Sequence, residues 1–244
     1  MLKINNLSVY IAKNLLLENI NIDLKKNKTY AIIGKNGAGK STLINAIIGN
    51  PNYQTTGELF LEDKNITSLS PSDKALAGLF LVFQNIPEIP GVKLSTFLRE
   101  IYNTHLIHNK SEVSPLSPLL FSRFIKKYLD ILKLDENILE RDLNVGFSGG
   151  EKRKLEMLQI NLLNPEYIFI DEIDSGLDID AINLIGENLK NIKSENNSII
   201  IISHNLDLLN KIGIDEVILL NSGKIEKIGD NNLLKEIKNK GFNS

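Results

Sequence analysis

The sequence contains no cysteine. That absence excludes disulfides, thiolate metal sites and ligation of an iron–sulfur cluster by sulfur from this chain, and it fits a reducing compartment. Histidine is scarce too. His105, His108 and His204 show no metal-ligand spacing on a helical stretch, and the first two read as surface residues. Neither sign of charge is in excess: 28 Lys+Arg stand against 30 Asp+Glu, for a net charge of −2. The chain therefore has no global basic field for nucleic acid or an anionic membrane, and neither nucleic-acid binding nor direct membrane insertion is expected. Long apolar runs are missing as well. The run Leu79, Phe80, Leu81, Val82, Phe83 is among the longest and suits a buried strand rather than a membrane span. Residues 1–7 read as structured chain rather than a signal peptide. No internal repeat or long low-complexity tract is present. The richness in Ile, Asn and Lys is read as genome composition.

What is present suffices for one large domain, or one domain with an inserted lobe: 244 residues, 42% of them hydrophobic. Residues 3–10 and 20–24 alternate apolar and polar side chains and predict half-buried antiparallel strands. A short strand is expected over 57–61. Ser70 and Pro71 are an N-cap and first position of a helix, and 79–83 is a buried strand ending at Gln84. Two prolines in 85–92 then forbid a regular helix there. Helical spacing returns over 94–106 and 121–132, with a polar loop over 108–118. Residues 85–144 are thus taken as a helical insertion. Beyond it, the β-branched runs 167–170, 199–202 and 217–220 are interleaved with helical stretches at 179–193 and 205–212. That rhythm predicts a parallel sheet. A turn at Asn221, Ser222, Gly223 leads into a hairpin strand over 224–228, and 233–240 is a closing helix.

Three stretches carry chemistry. Gly34, Lys35, Asn36, Gly37, Ala38, Gly39, Lys40, Ser41 spell G-x-x-x-x-G-K-S, between a predicted strand at 29–33 and a helix that begins at Thr42. The glycines let backbone N–H groups turn inward as an anion nest. Lys40 adds a point charge for phosphates, and Ser41 offers a hydroxyl to Mg²⁺. Asp171 and Glu172 follow the apolar strand 167–170; two carboxylates there are costly without a task. Beside a phosphate-binding loop, Asp171 suits Mg²⁺ and Glu172 suits proton acceptance from an attacking water. Ser148, Gly149, Gly150, Glu151 form an S-x-x-E capping box at the start of a predicted helix over 152–163, a second anion-ready helix N-terminus.

Together with Gln84, with Ser175, Gly176, Leu177, Asp178, and with His204, these motifs stand in the order and spacing of an ABC-type ATPase, and the chain resembles that family over nearly its whole length. The resemblance implies an α/β fold: a P-loop ATPase domain with a mixed sheet core, an N-terminal antiparallel β subdomain and an inserted helical subdomain. Residues 1–84 and 145–244 would form the core with its β subdomain, and 85–144 the helical subdomain. It implies ATP and Mg as ligands, hydrolysis of ATP, and two copies of the chain sandwiching two ATPs. Residues 34–42, Thr42 included, would hold the nucleotide in one copy. Ser148, Gly149, Gly150 and Glu151 would close on it from the other, and Asp178 would communicate across the pair. Ser41, Gln84 and Asp171 would serve the metal. Glu172, Gln84 and His204 would act in catalysis, with Glu172 as base and His204 on the γ-phosphate. One departure stands out. The family stacks adenine on an aromatic residue in the N-terminal sheet; Ile11 holds that place here, with Tyr10 beside it. If Tyr10 points the other way, as strand alternation suggests, nucleotide discrimination is loose.

Within the family, 77–84 with 87–92, 141–152, and 171–181 resemble the SufC subgroup, soluble ATPases of iron–sulfur cluster assembly. Glu151 stands where most transporters carry Gln. Ile173 with Asp174, and Asn205 after His204, differ slightly from the commonest wording of that subgroup. This resemblance implies SufB/SufD-type scaffold partners and a cytoplasmic location, or the stroma of a plastid-type organelle. The partner surface is expected on Ile86, Ile89 and Val92 in the proline-stiffened loop, unless they pack into the lobe's own core. The basic run Lys152, Arg153, Lys154 reads as a solvated helix face, or alternatively supplies an ion pair to Glu172. The competing assignment is the ATP-binding subunit of a membrane transporter. A DNA- or ribosome-associated ABC protein would need tandem domains, a long coiled coil or a basic arm, none of which is seen.

Overall fold

A computed structural model describes residues 1–109, 113–174, 177–193, 197–203 and 205–240. The chain begins with a hairpin of β1 (Leu2–Ile11) and β2 (Asn14–Leu24). Then come β3 (Thr29–Ile33), α1 (Lys40–Ile48), β4 (Gln54–Leu61), β5 (Lys64–Asn65), α2 (Pro71–Leu76) and β6 (Leu79–Val82). There follow β7 (Ile89–Lys93), α3 (Leu94–Asn109), α4 (Pro118–Ile131), a 3₁₀ turn (Glu136–Glu140), β8 (Asp142–Leu143) and α5 (Gly149–Leu163). The last third holds β9 (Tyr167–Asp171), α6 (Ile179–Ile192), β10 (Ser198–Ile202), α7 (Leu206–Ile212), β11 (Glu216–Asn221), β12 (Lys224–Gly229) and α8 (Asn231–Lys240).

These elements form two compact units. The first joins Met1–Val82, Pro165–Ile173 and Lys193–Ser244; the second joins Phe83–Asn164 and Asp174–Ile192. In the first unit an antiparallel sheet has the order β2-β1-β4-β5, and a six-stranded sheet the order β12-β11-β3-β10-β9-β6. In the latter, neighbours from β11 to β6 pair in parallel and β12 returns antiparallel, so it is a mixed sheet. The patterning follows from exposure. β1 buries alternate residues on either side of an irregularity at residues 5–6, Leu2 and Ile4 before it and Leu7 and Val9 after it. β3, β9 and β10 are buried at every position, which is why they read as unbroken apolar runs. α1 packs Leu43, Ile44 and Ile47 into a core shared with both sheets, each worth roughly 1.5–3 kcal/mol of transfer free energy. Two tyrosines enter that core with their hydroxyls satisfied: Tyr30 accepts the Lys25 N–H at 2.7 Å and Tyr167 donates to the Leu24 carbonyl at 3.1 Å.

The second unit is mainly helical. Leu94 and Leu98 of α3, Phe121, Ile125 and Leu129 of α4, and Leu155 and Leu158 of α5 are buried. α4 starts where its residues dictate: Ser117 accepts the Leu120 N–H, and Pro118 takes the first helical position. Three expectations need correction. β6 stops at Val82, and Phe83 lies outside it, 52% exposed, because its N–H is taken by Glu156 (2.9 Å) instead of a neighbouring strand. The proline-containing stretch ends in the exposed strand β7, which among the described residues pairs only with β8. Pro90 is tolerated there because an edge strand leaves one N–H row without a partner strand. Helix α3 runs on to Asn109, three residues past the 94–106 stretch; Lys110, Ser111 and Glu112 fall outside the described residues.

Candidate functional site

The loop after β3 is shaped by close approach. A Cβ on Gly34 would sit 2.2 Å from the Leu220 carbonyl oxygen, so only glycine fits. Ala38 donates to the Lys35 carbonyl (3.1 Å) to close the turn. Gly39 then enters α1 in the left-handed region (φ 101°), with no side chain capping the helix. The first-turn N–H groups of α1, at Lys40, Ser41 and Thr42, are the kind that an anion satisfies. Lys40 is buried at 7% exposure and curls back, its Nζ donating to the carbonyls of Gly34 (2.9 Å) and Lys35 (3.2 Å). Burial pulls its pKa below the ordinary lysine value, against the opposing pull of Glu172 and Asp171. Lys35, Asn36 and Gly37 are exposed at the loop's tip.

At the end of β9, the structure brings Asp171 beside this loop. Asp171 is 4% exposed, and its Oδ1 accepts from Ser41 Oγ at 3.0 Å. A hydroxyl and a carboxylate side by side are hard oxygen donors. Among the described residues no group of three or more His, Cys, Asp or Glu is placed to hold a metal ion. Glu172 follows with φ 51°, a left-handed conformation that costs a non-glycine residue about 1–2 kcal/mol. Its N–H is tied to the Ile202 carbonyl at 3.0 Å, which holds this strained residue at the strand end. His204, Ser175 and Gly176 lie outside the described residues.

The second unit carries the other group. Ser148 caps α5: its Oγ accepts the Glu151 N–H (3.2 Å), and Glu151 Oε2 accepts the Ser148 N–H (2.8 Å), the reciprocal box expected from S-x-x-E. That bond, the largest cause, and Arg141 hold the Glu151 carboxyl below the usual range. A cavity of about 320 Å³ is lined by Ser148, Gly150, Glu151, Lys154, Lys133 and Asp178. Asp178 also caps α6, accepting the Ala181 N–H at 2.7 Å. Gln84 is exposed, and its carbonyl accepts from Arg153.

Two features escaped the sequence reading. Arg141 stacks on the Phe147 ring (4.0 Å), donates to the Gly146 carbonyl (2.8 Å) and reaches Glu151 (3.5 Å), shaping the turn before α5. The basic run is not a solvated face either. Lys152 pairs with Glu88 (2.7 Å), Arg153 is buried against Glu156 (2.7 Å), and Lys154 donates to the Lys133 carbonyl (3.3 Å). The signal available was Glu156, a charge inside the apolar run 155–158, which a solvated face would not place there. In the first unit, Ile11 is 42% exposed on the hairpin and Tyr10 half-buried.

Comparison with known proteins agrees with this architecture. The profile described as ABC transporter matches residues 17–175. A "Probable ATP-dependent transporter slr0075" of Synechocystis sp. is 41% identical over 99% of this chain and 94% of its own. A "Probable ATP-dependent transporter ycf16" of Cyanophora paradoxa is 40% identical over 99% and 93%. The dimeric post-hydrolysis structure of the ATP-binding cassette MJ0796, bound to ADP and Pi, shares the fold with a TM-score of 0.75 at 22% identity, over 94% of this chain and 98% of that one. Among the described residues no helix is long and apolar enough to cross a membrane. The chain thus belongs to the ABC transporter family, as an ATP-binding cassette of the ATP-hydrolysing P-loop fold.

Proposed function

We propose that this ABC ATPase spends ATP to change the conformation of a SufB/SufD-type scaffold that assembles iron–sulfur clusters. The observation that carries the proposal is the likeness of 77–84 with 87–92, of 141–152 and of 171–181 to the SufC subgroup. The lack of cysteine supports it, since such a chain supplies motion and its partner the ligands. A docking strip supports it too: Ile89 and Val92 on β7 are 41% and 36% exposed, while Ile86 is half-buried. A strand stiffened by Pro90 loses little entropy on docking.

In this reading the N–H groups of 34–42 and the Lys40 ammonium bind the ATP phosphates. Ser41, Asp171 and Gln84 would hold Mg²⁺, which when bound would neutralise charge on the phosphates. Glu172 accepts a proton from water as the water oxygen bonds to the γ-phosphorus and the β–γ bridging bond breaks, releasing ADP and phosphate. Gln84 orients that water and His204 contacts the γ-phosphate. Ser148, Gly149, Gly150 and Glu151 of a second copy complete the site, and Asp178 relays its closure. Exposed Ile11 offers the base an aliphatic rather than an aromatic surface, so GTP is expected to substitute for ATP.

The relatives are named as probable ATP-dependent transporters, and the second reading is accordingly the ATP-binding subunit of a membrane transporter. Affinity purification with mass identification of partners separates the two. A cysteine-bearing partner without membrane spans, lost when Ile89 and Val92 are changed to Asp, supports the scaffold reading. A partner with membrane spans overturns it.

A further inference from the structure

Helix α5 carries a buried ion pair that is not closed on itself. Arg153 and Glu156 are one turn apart, with side chains 7% and 5% exposed. Besides meeting Glu156, Arg153 donates to the Phe83 carbonyl through Nη1 and to the Gln84 carbonyl through Nη2 (2.9 Å). Glu156 Oε1 accepts the Phe83 N–H at 2.9 Å. Both backbone groups of Phe83 and the carbonyl of Gln84 thus end on one pair of side chains. The following residues are tied to the same region: Asn144 donates to the Pro87 carbonyl (2.9 Å) and Lys152 pairs with Glu88 (2.7 Å).

Stability alone does not explain this pair, because buried ion pairs are commonly no better than apolar residues of the same size. What it supplies is direction. A planar guanidinium suits two successive carbonyls, and a fixed carboxylate suits the amide between them and β6. The backbone of 83–84 is thereby held in one orientation, while the side chains of Phe83 and Gln84 stay exposed.

We infer that Arg153 and Glu156 are positioning residues for Gln84: they fasten its backbone to the helix whose first turn is 148–151, so that Gln84 and that turn shift as one body. The inference rests on the reading of Gln84 as a contact of the metal and the attacking water.

The test is steady-state ATP hydrolysis by the full chain carrying R153M/E156L, Q84A, or all three changes, with amide hydrogen exchange followed at Phe83. The double variant is expected to fold, since apolar replacement of a buried pair is tolerated. Its kcat is expected to fall about tenfold to a hundredfold, the scale of a misplaced reacting group, at unchanged KM. The triple variant should lose no more than Q84A, and Phe83 protection should drop. Parent-like turnover with parent-like protection overturns the inference, as does a loss in the triple variant that multiplies the two separate losses. If the double variant does not fold, R153K decides: it keeps the charge but not the fork, and should lose about threefold to tenfold in kcat, the worth of one net hydrogen bond. An R153K variant with parent-like kcat overturns the inference. A Q84A variant with parent turnover instead overturns the reading of Gln84, and then also the positioning role.

Discussion

Glycines mark both helix starts, Gly37 and Gly39 ahead of α1 and Gly149 and Gly150 within the first turn of α5, yet those first turns are finished differently. At α1 no side chain caps the helix; Gly39 enters with φ 101°, and a buried lysine folds across the loop onto its own carbonyls. At α5 the Ser148–Glu151 box uses the N–H groups of both residues, and Arg141 braces the turn from outside. At α1 the closing contacts run from the Lys40 ammonium to backbone carbonyls of the loop. The α5 turn is complete in itself and presents a finished rim, Ser148 and Gly150, to a cavity. Two helix starts of similar sequence texture are therefore not interchangeable: one is closed by a lysine on backbone carbonyls, the other by a reciprocal capping box.

The largest expected effect strikes the binding side. Glu172→Gln should lower kcat by about 10²–10⁴, the usual contribution of a general base, while ATP still binds; equal turnover would remove Glu172 as the base. Lys40→Ala should weaken ATP binding to a single chain by tenfold or more, as loss of a charged phosphate contact implies. Glu151→Ala should leave that single-chain affinity unchanged and cost about 1 kcal/mol of stability as a lost cap. Titration calorimetry and denaturant unfolding read both, and equal affinity losses would erase the contrast between the helices.

A third effect concerns pH. Burial pushes the Glu156 carboxyl up to about 7 from an ordinary 4.5, despite Arg153 and the Phe83 N–H. A raised native pKa favours the proton-bound fold, so this group's stabilisation is full below about pH 4.5 and is lost as pH rises through about 7. Urea unfolding between pH 5 and 8 should show that decline in the parent, on the order of 1 kcal/mol or more, and a flatter profile in Glu156→Gln. The smallest effect belongs to the docking strip: Ile89→Asp should change the stability of the isolated chain by no more than about 0.5 kcal/mol, as exposed substitutions do. A larger loss would mean that β7 packs into a core.

The contrast between the helices was half legible in the sequence. G-x-x-x-x-G-K-S and S-G-G-E fix local backbone chemistry, so the loop, the capping box and the carboxylates at the end of β9 could be placed from residue types alone. The unbroken apolar strands were equally plain. What stayed hidden depends on partners far along the chain. Arg153 looks solvated beside two lysines until the backbone of 83–84, some 70 residues away, comes to meet it. The strand β7 carries a proline and pairs with only two residues of β8, too little pattern for a period to show. Arg141 gave no signal, because its stacking on Phe147 and its bond to Glu151 exist only once the turn is formed.

If α1 and α5 are the two halves of one site in two copies, nucleotide must bring the copies together. Sedimentation of Glu172→Gln with saturating Mg·ATP measures this directly. The account predicts a shift from one 27.3 kDa chain to a pair, abolished by adding Ser148→Arg in the same chain. A nucleotide-saturated Glu172→Gln that sediments as a single chain, or a pair that survives Ser148→Arg, would contradict it.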